Sequence, residues 1–507
     1  MNSAITPPSL SFRIGMFGAF IAPLVFIVST VAFFVIFRAF DMNALTVGGL
    51  IGLFIAAPFA RGYSKFWDAI MKGVSSQTSV MLLMLLLSVG LISELLKTTG
   101  LSEGFVWLAL SVGVNGANFI AIAFIAVCAI AMSTGSSLGT MFTVFPIFYP
   151  AGAILGADPV LLAGALLSGA LFGDNLAPIS DSTIISAATQ KYRTKEGSAE
   201  IPGVVASRTR YSLPAAAIAL VLFWVIGFAV SPGAAATEGI SAGDFSATGL
   251  WMLIPVVALL AVAFATRDLF KAISVGVLVG VIVGLMSGAM NFSGVIGVDG
   301  DAVTGFLVGG IASMLPIIGL SMIVFAMLGV LQEAGVLEAI VYKVVDSGWV
   351  NTPRRAETAI GVGTLITITL FASVNGPSMM VFGPLADRFG AKVGLHPYRR
   401  SNIMDCFALG LGSIVPLASS FLFIGSLLTT DMGDAPALNP FAIFLGAFYP
   451  LVLTLIAMIA IITGFGRRFE GPNGTLVKTQ AEAVIVEDSG PNTNVVTLQQ
   501  TQGLNAL

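Results

Sequence analysis

Apolar stretches of membrane-span length follow one another through almost the whole chain, at residues 14–37, 44–60, 74–96, 117–135, 159–189 and 211–230, and again at 249–266, 269–290, 304–331, 356–374, 401–428 and 441–465. A helix needs about 20 predominantly apolar residues to cross the hydrocarbon layer of a bilayer, and its backbone polar groups must be satisfied within the segment. Composition closes off the water-soluble alternative. Of 507 residues, 56% are hydrophobic and 10% charged, against about 25% charged in a soluble domain. The expected fold is an all-α polytopic membrane protein whose solvent is the lipid bilayer. With 23 basic and 26 acidic residues the net charge is −3, so no polybasic face exists and nucleic acid is excluded as a partner. Cys128 and Cys406 lie in apolar runs and read as small buried hydrophobes. His396, the only histidine, sits in a polar turn and cannot build a histidine metal site alone, and no cofactor is expected.

The two series of stretches superpose at one spacing. An offset of 238 takes Met141 to Met379, Pro146 to Pro384, Gly152 to Gly390, Gly156 to Gly394, Pro159 to Pro397 and Pro178 to Pro416. Constant spacing of this kind indicates an internal duplication. Between the fourth and fifth stretch of each series lies a shorter one cut by Gly and Pro, at 136–150 and 375–386, and such matched interruptions predict discontinuous helices.

Basic residues mark the cytoplasmic side: Arg61, Lys65, Lys72, Lys191, Arg193, Lys195, Arg208, Arg210, Arg267, Lys271, Lys343, Arg354, Arg355, Arg467 and Arg468. The linkers 231–248, 291–302 and 429–440 carry Glu238, Asp244, Asp299, Asp301, Asp431 and Asp434 without Lys or Arg, and face outside; Arg38 and Lys97 fit this scheme least. The loop at 150–158 has no basic residue, whereas its equivalent at 387–400 has Arg388, Lys392, Arg399 and Arg400. One element on opposite sides in the two halves predicts two inverted-topology repeats, each with an odd number of crossings. The expected organisation is a cytoplasmic N-terminus at 1–13, a first transmembrane repeat at 14–231, a second at 249–465 and a disordered cytoplasmic tail at 467–507. Location in the plasma (inner) membrane, with both termini cytoplasmic, goes with it. The sequence leaves the oligomeric state open.

Charges within or beside the spans are few: Glu94, Asp174, Asp181, Glu333 and Asp405. Each costs about 2.5 to 3.5 kcal/mol at a helix centre, so function is the default reading of the deep ones. Glu94 and Glu333 lie at span ends and read as interfacial. The run Gly173-Asp174-Asn175-Leu176-Ala177-Pro178-Ile179-Ser180-Asp181-Ser182-Thr183 packs carboxylates, an amide and hydroxyls into an apolar span, the ligand chemistry of a hard cation such as Na⁺. On a continuous helix Asp174 and Asp181 share a face about two turns apart, and Pro178 leaves the Asp174 carbonyl without its helical donor. Pro416 does the same for Gly412. Ser133, Ser136, Ser373, Asn375 and Ser378, at the interruptions, are candidate contributors, the first two within the run Ser133-Thr134-Gly135-Ser136-Ser137. Asp405 has Leu167 opposite it at the repeat offset, which suggests a separate role as a proton site or as a partner of Arg399 or Arg400.

The run 173–183 resembles the Gly-Asp-x-x-Ser-Pro-x-Ser-Asp-Thr-Thr signature of the NhaC-type Na⁺/H⁺ antiporter family, with Ala177 in place of Ser and Ser182 in place of Thr. Length, two-half organisation and hydropathy are similar to that family across roughly residues 10–465. The resemblance implies that Asp174, Asn175, Ser180, Asp181, Ser182 and Thr183 bind cation, with Na⁺ at Asp174 and Asp181, and that Na⁺ and H⁺ are the transported ions. The second half departs from the family pattern at Gly412-Ser413-Ile414-Val415-Pro416-Leu417, which bears on the solute more than on the cation. The leading expectation is a secondary transporter in which Na⁺ and H⁺ compete for mid-membrane aspartates. Alternatives are a Na⁺-coupled carrier of an amino acid or small organic acid, with helix N-termini near Ser136 or Asn375 receiving a carboxylate; an intramembrane aspartyl protease using Asp174 and Asp405; and a channel.

Overall fold

The structure, a computed structural model, describes residues 9–37, 42–231, 243, 245–266, 268–336, 349–371, 373–416, 418–430, 432 and 435–485. The orientation markers Arg38, Arg267, Lys343, Glu238, Asp244, Asp431 and Asp434 lie outside the described residues. Helices account for about three-quarters of what is described. In chain order they are α1 (Ile21–Val31), α2 (Met42–Ala56), α3 (Tyr63–Val74), α4 (Gln77–Thr98), α5 (Leu101–Ser111), α6 (Gly116–Thr134), α7 (Ser137–Ile154), α8 (Pro159–Leu176), α9 (Asp181–Ala188), α10 (Ile201–Val230), α11 (Leu253–Thr266), α12 (Leu269–Met286), the single turn α13 (Phe292–Val295) and α14 (Phe306–Glu333). They continue with α15 (Pro353–Leu370), α16 (Asn375–Ala391), α17 (Pro397–Ala408), α18 (Ser420–Leu428), α19 (Pro440–Gly446) and α20 (Phe448–Thr463). Two short antiparallel pairs complete it: β1 (Gly297–Asp299) with β2 (Ala302–Thr304), and β3 (Phe469–Glu470) with β4 (Leu476–Val477).

Among the described residues six helical stretches are long and apolar enough to span a membrane, 79–98, 116–134, 137–154, 159–188, 201–230 and 306–333, and α19 with α20 forms a further span bent by 59°. Short polar residues start many of them. Ser76, Asn115, Ser136, Asp158, Ser419 and Asn439 each accept a hydrogen bond from the backbone N–H three residues on, satisfying a donor the first turn cannot. Without a hydrophobic drive between helices in lipid, close packing depends on small residues. A Cβ on Gly73 would stand 2.1 Å from the Phe325 carbonyl oxygen of α14, and one on Gly329 would stand 2.2 Å from that of Ala69 in α3. Those two helices touch through backbone.

The 238-residue offset recurs in the backbone. It takes the start of α7 (Ser137) to the start of α16 (Asn375), and Pro159, first in α8, to Pro397, first in α17. Gly135 (φ 65°) and Ser373 (φ 64°) share a left-handed conformation that a residue with a Cβ seldom adopts. The turn bond from Ala157 N–H to the Gly152 carbonyl, 2.8 Å, repeats from Leu395 N–H to Gly390, 2.9 Å.

Three sequence expectations are corrected. The interruptions at 136–150 and 375–386 are continuous helices, α7 and α16, with Pro146, Pro150 and Pro384 inside them. The chain breaks one element later, at 177–180 between α8 and α9 and at 409–419 between α17 and α18. Ala177 (ψ 124°) and Val415 (ψ 115°) are both extended in front of a proline, and Ser180 and Ser419 then stand as N-caps for a new helix. No such cap follows Pro146, and α7 runs on. The break also separates Asp174, in the last turn of α8, from Asp181, which opens α9, so they do not share a continuous helix. Finally, residues 467–485 are folded: β3 pairs with β4, the Glu470 N–H bonds the Gly394 carbonyl at 2.9 Å, and Ala483 and Val484 are buried. The expected disordered tail is thus ordered up to 485, and the rest of it lies outside the described residues.

Candidate functional site

The site forms where the α8–α9 break meets the N-terminus of α7, the N-terminal half of α10 and the C-terminal half of α17. Asp174 is 7% exposed, and its two carboxylate oxygens each accept a hydroxyl, Oδ1 from Ser180 and Oδ2 from Ser137. Ser137 is the first residue of α7 and Ser180 the N-cap of α9. Helix N-termini carry unpaired N–H groups and a positive partial charge, which favour an anion there. Ser180 Oγ is also 2.9 Å from Ser182 Oγ. Asp181, by contrast, is exposed.

Asn175 faces a different set of groups. Its Nδ2 donates to Asp405 Oδ2 at 2.8 Å, and its Oδ1 accepts from Ser212 and, at 3.2 Å, from Tyr449. Asp405 and Arg208 are both fully buried, with Nη1 2.5 Å from Oδ2. The same guanidinium donates to the Asn175 carbonyl at 2.6 Å, to Thr183 Oγ1 at 2.8 Å, to Asn402 Oδ1 at 3.1 Å and to Ser186 Oγ at 3.4 Å. Asp405 Oδ1 has no hydrogen-bond partner among the described residues.

Asp405 therefore pairs with Arg208, not with the Arg399 or Arg400 expected from sequence. Arg399 is held by Glu357 at 2.8 Å, and Arg400 by Asp387 at 2.6 Å. Arg208 stands in the core and not in a loop. The break exposes the Asn175 carbonyl, and Arg208 takes it; Ser373 Oγ takes the Gly412 carbonyl at 2.7 Å, so that oxygen is not free for an ion. Ser133 bonds back to Ala129, Ser136 caps α7 and Ser378 bonds the Asn375 carbonyl, so these three are engaged by local backbone. Asn375 Oδ1 is buried without a partner among the described residues. Glu94 and Glu333 pair with Lys97 at 3.7 Å and Lys72 at 3.0 Å, away from the site. Among the described residues no three of His, Cys, Asp and Glu group as a metal site. Sequence reasoning passed over Arg208, Ser212, Tyr449 and Asn402; the one available signal was a basic residue inside a stretch, 201–230, that is helical and apolar along most of its length.

A second polar layer joins 191–198, 393–396 and 467–485. Glu470 Oε1 accepts from the N–H groups of Arg193 and Thr194 at 2.6 and 2.8 Å, and its other oxygen is 3.5 Å from Arg400. Arg467 binds Glu357 at 2.6 Å. Glu200, beside Lys195, Tyr192 and Tyr398, is held down to about 2, because these hydrogen bonds outweigh its desolvation.

A helical membrane bundle whose broken span presents a hydroxyl-held carboxylate in its interior has the features of a transporter. The chain belongs to the Na⁺/H⁺ antiporter family, whose profile matches residues 7–195 and 206–465. It is 27% identical over 358 residues to the malate-2H⁺/Na⁺-lactate antiporter of Bacillus subtilis, covering 67% of this chain and 72% of that one. It is 26% identical over 450 residues to the Na⁺/H⁺ antiporter NhaC of Alkalihalophilus pseudofirmus, covering 82% and 90%. Among solved structures, the antimetabolite efflux pump MtrF of Neisseria gonorrhoeae aligns over 90% of this chain and 96% of its own, at 11% identity and a TM-score of 0.39, too low to argue from.

Proposed function

We propose that the protein exchanges Na⁺ for H⁺ by alternating access, with the two ions competing for Asp174. The observation that carries this reading is a buried carboxylate, held by Ser137 and Ser180 at a helix break, in a chain of the Na⁺/H⁺ antiporter family. A buried carboxylate is costly while charged and bare, and either a proton or Na⁺ neutralises it. The neutral loaded site can change its access side where the bare charged one resists it. Asp181, Ser180 and Ser182 line the approach to Asp174, while Asn175 and Thr183 fix the break through Arg208 and Asp405. Inverted repeats, placement in the inner membrane and cytoplasmic termini belong to this proposal. Support for the inversion comes from the contrast between 150–158, without a basic residue, and 387–400, with Arg388 and Lys392 exposed, while the recurring backbone supports the duplication. The test is proton flux in everted vesicles, followed by a pH-sensitive dye during pulses of Na⁺, Li⁺ and K⁺. A Na⁺ pulse outside vesicles with an acid lumen should alkalinise the lumen as Na⁺ enters and H⁺ leaves, and no response to any of the three would refute exchange.

A second reading adds an organic acid to the cycle. The likeness to the malate-2H⁺/Na⁺-lactate antiporter favours it, and Asn375, in the first turn of α16 with an unpartnered side-chain oxygen, marks where a polar solute would bind. Uptake of radiolabelled lactate or malate into vesicles with and without Na⁺ separates the two readings.

A further inference from the structure

The interior around the break holds three charged side chains out of solvent: Asp174 at 7% exposure, and Asp405 and Arg208 at 0%. Asp181 is exposed and lies outside that buried set. With both carboxylates ionised the buried net charge is −1. One monovalent cation brings it to zero, whereas a divalent one would leave an uncompensated +1, which is costly in a low-dielectric interior.

We propose that Arg208 is a selectivity-determining residue: a fixed internal cation that commits Asp405 and restricts the Asp174 site to a single monovalent ion, excluding Ca²⁺ and Mg²⁺. The inference rests on the antiport reading of Asp174 and adds to it the residue that sets the charge. Arg208 binds both lips of the break, the Asn175 carbonyl on α8 and Thr183 Oγ1 on α9, and reaches Asp405 and Asn402 on α17. Among the described residues Arg208 is the one cation paired with Asp405, whose Oδ2 also accepts from Asn175. Asp405 Oδ1 has no partner, while Ser180 and Ser182 link their hydroxyls beside Asp174. Remove the guanidinium, and Asp405 is left as a second uncompensated buried carboxylate near enough to Asp174 to act on its charge, which favours the higher charge of a divalent hard cation, an ion that takes oxygen ligands.

The experiment uses full-length protein purified into liposomes, with Na⁺-driven proton flux measured at varied Na⁺ and with added CaCl₂ or MgCl₂. Wild type should be indifferent to either divalent ion at millimolar concentration. Asp405→Asn leaves Arg208 with Asp174 as its buried counter-charge, so the KM for Na⁺ should rise about tenfold or more through direct electrostatic competition. Arg208→Gln/Asp405→Asn restores the net charge to −1 and should return KM to within about threefold of wild type, without divalent inhibition. Arg208→Lys keeps the charge and should keep wild-type selectivity. Arg208→Gln alone should become sensitive to Ca²⁺ and Mg²⁺ and should melt at a higher temperature in CaCl₂, an effect absent from the double variant. Should the unpaired Asp405 stop that single variant from folding, the comparison of Asp405→Asn with the double variant decides the matter by itself. A double variant no better than Asp405→Asn, or an Asp405→Asn KM within threefold of wild type, overturns the proposal. If wild type itself exchanges no Na⁺ for H⁺, the antiport reading fails, and Ca²⁺-dependent melting still decides the charge assignment.

Discussion

At the scale of single residues, the environment of Asp174 makes quantitative demands. A hydrogen bond to a charged group contributes about 1.5 to 3 kcal/mol, so Ser137→Ala and Ser180→Ala should each raise the KM for Na⁺ about tenfold or more, measured as the Na⁺ dependence of proton flux. An unchanged KM in both would show that those hydroxyls do not act on the ion-binding carboxylate. Glu94→Gln, which removes only a partly exposed pair with Lys97, should leave transport within about twofold of wild type. Asp174 was legible in the sequence because a carboxylate in an apolar span is conspicuous. Arg208 was not, because a basic residue near other basic residues reads as a topological marker. Nothing in the spacing of 208 and 405 announces that they meet; only tertiary packing of α10 on α17 brings them together.

At the scale of elements, proline alone predicted breaks in the wrong places. Pro146 and Pro150 lie inside α7, while Pro178 and Pro416 sit within the breaks, each behind an extended residue and ahead of a serine N-cap. The fold class and the positions of most helices followed from apolar length. The ordered segment 467–485 did not, because its stability comes from partners distant in sequence, Gly394, Thr194 and Arg400. His396 joins this segment to α17. Its Nδ1 accepts from the Tyr398 N–H at 3.2 Å, and its Nε2 lies 3.2 Å from the Gly474 carbonyl, an arrangement of neutral imidazole with the proton on Nε2. Burial pushes its pKa down from 6.5 to about 4. The folded state thus disfavours the charged form: the stability that the neutral ring contributes is fully present above pH 6.5 and declines as the pH falls towards 4, because the unfolded segment takes up the proton first. Limited proteolysis should cut the 467–485 segment faster at pH 5 than at pH 7.5, and His396→Gln should remove that dependence. Equal cutting of wild type at both pH values would contradict this assignment.

At the scale of the whole molecule, the account depends on two halves of one design facing opposite ways. The offset that relates them was readable in the sequence, and the matching positive φ values at Gly135 and Ser373 give it a backbone counterpart. Cysteines placed at Ile154 and Lys392, equivalent under that offset and both partly or fully exposed, should label from opposite sides of the membrane with an impermeant thiol reagent; labelling from one side would make the repeats parallel. The central claim, that Na⁺ and H⁺ compete for one buried carboxylate, is tested most directly by Asp174→Asn in everted vesicles, with the amount of inserted protein checked in the same membranes. An amide keeps the size of the side chain and an oxygen ligand, but it neither carries the charge that offsets Na⁺ nor takes the exchanged proton. The account predicts normal insertion and no Na⁺-dependent proton flux, with Asp181→Asn retaining exchange at a raised KM; Asp174→Asn vesicles that exchange Na⁺ for H⁺ at the wild-type rate would contradict it.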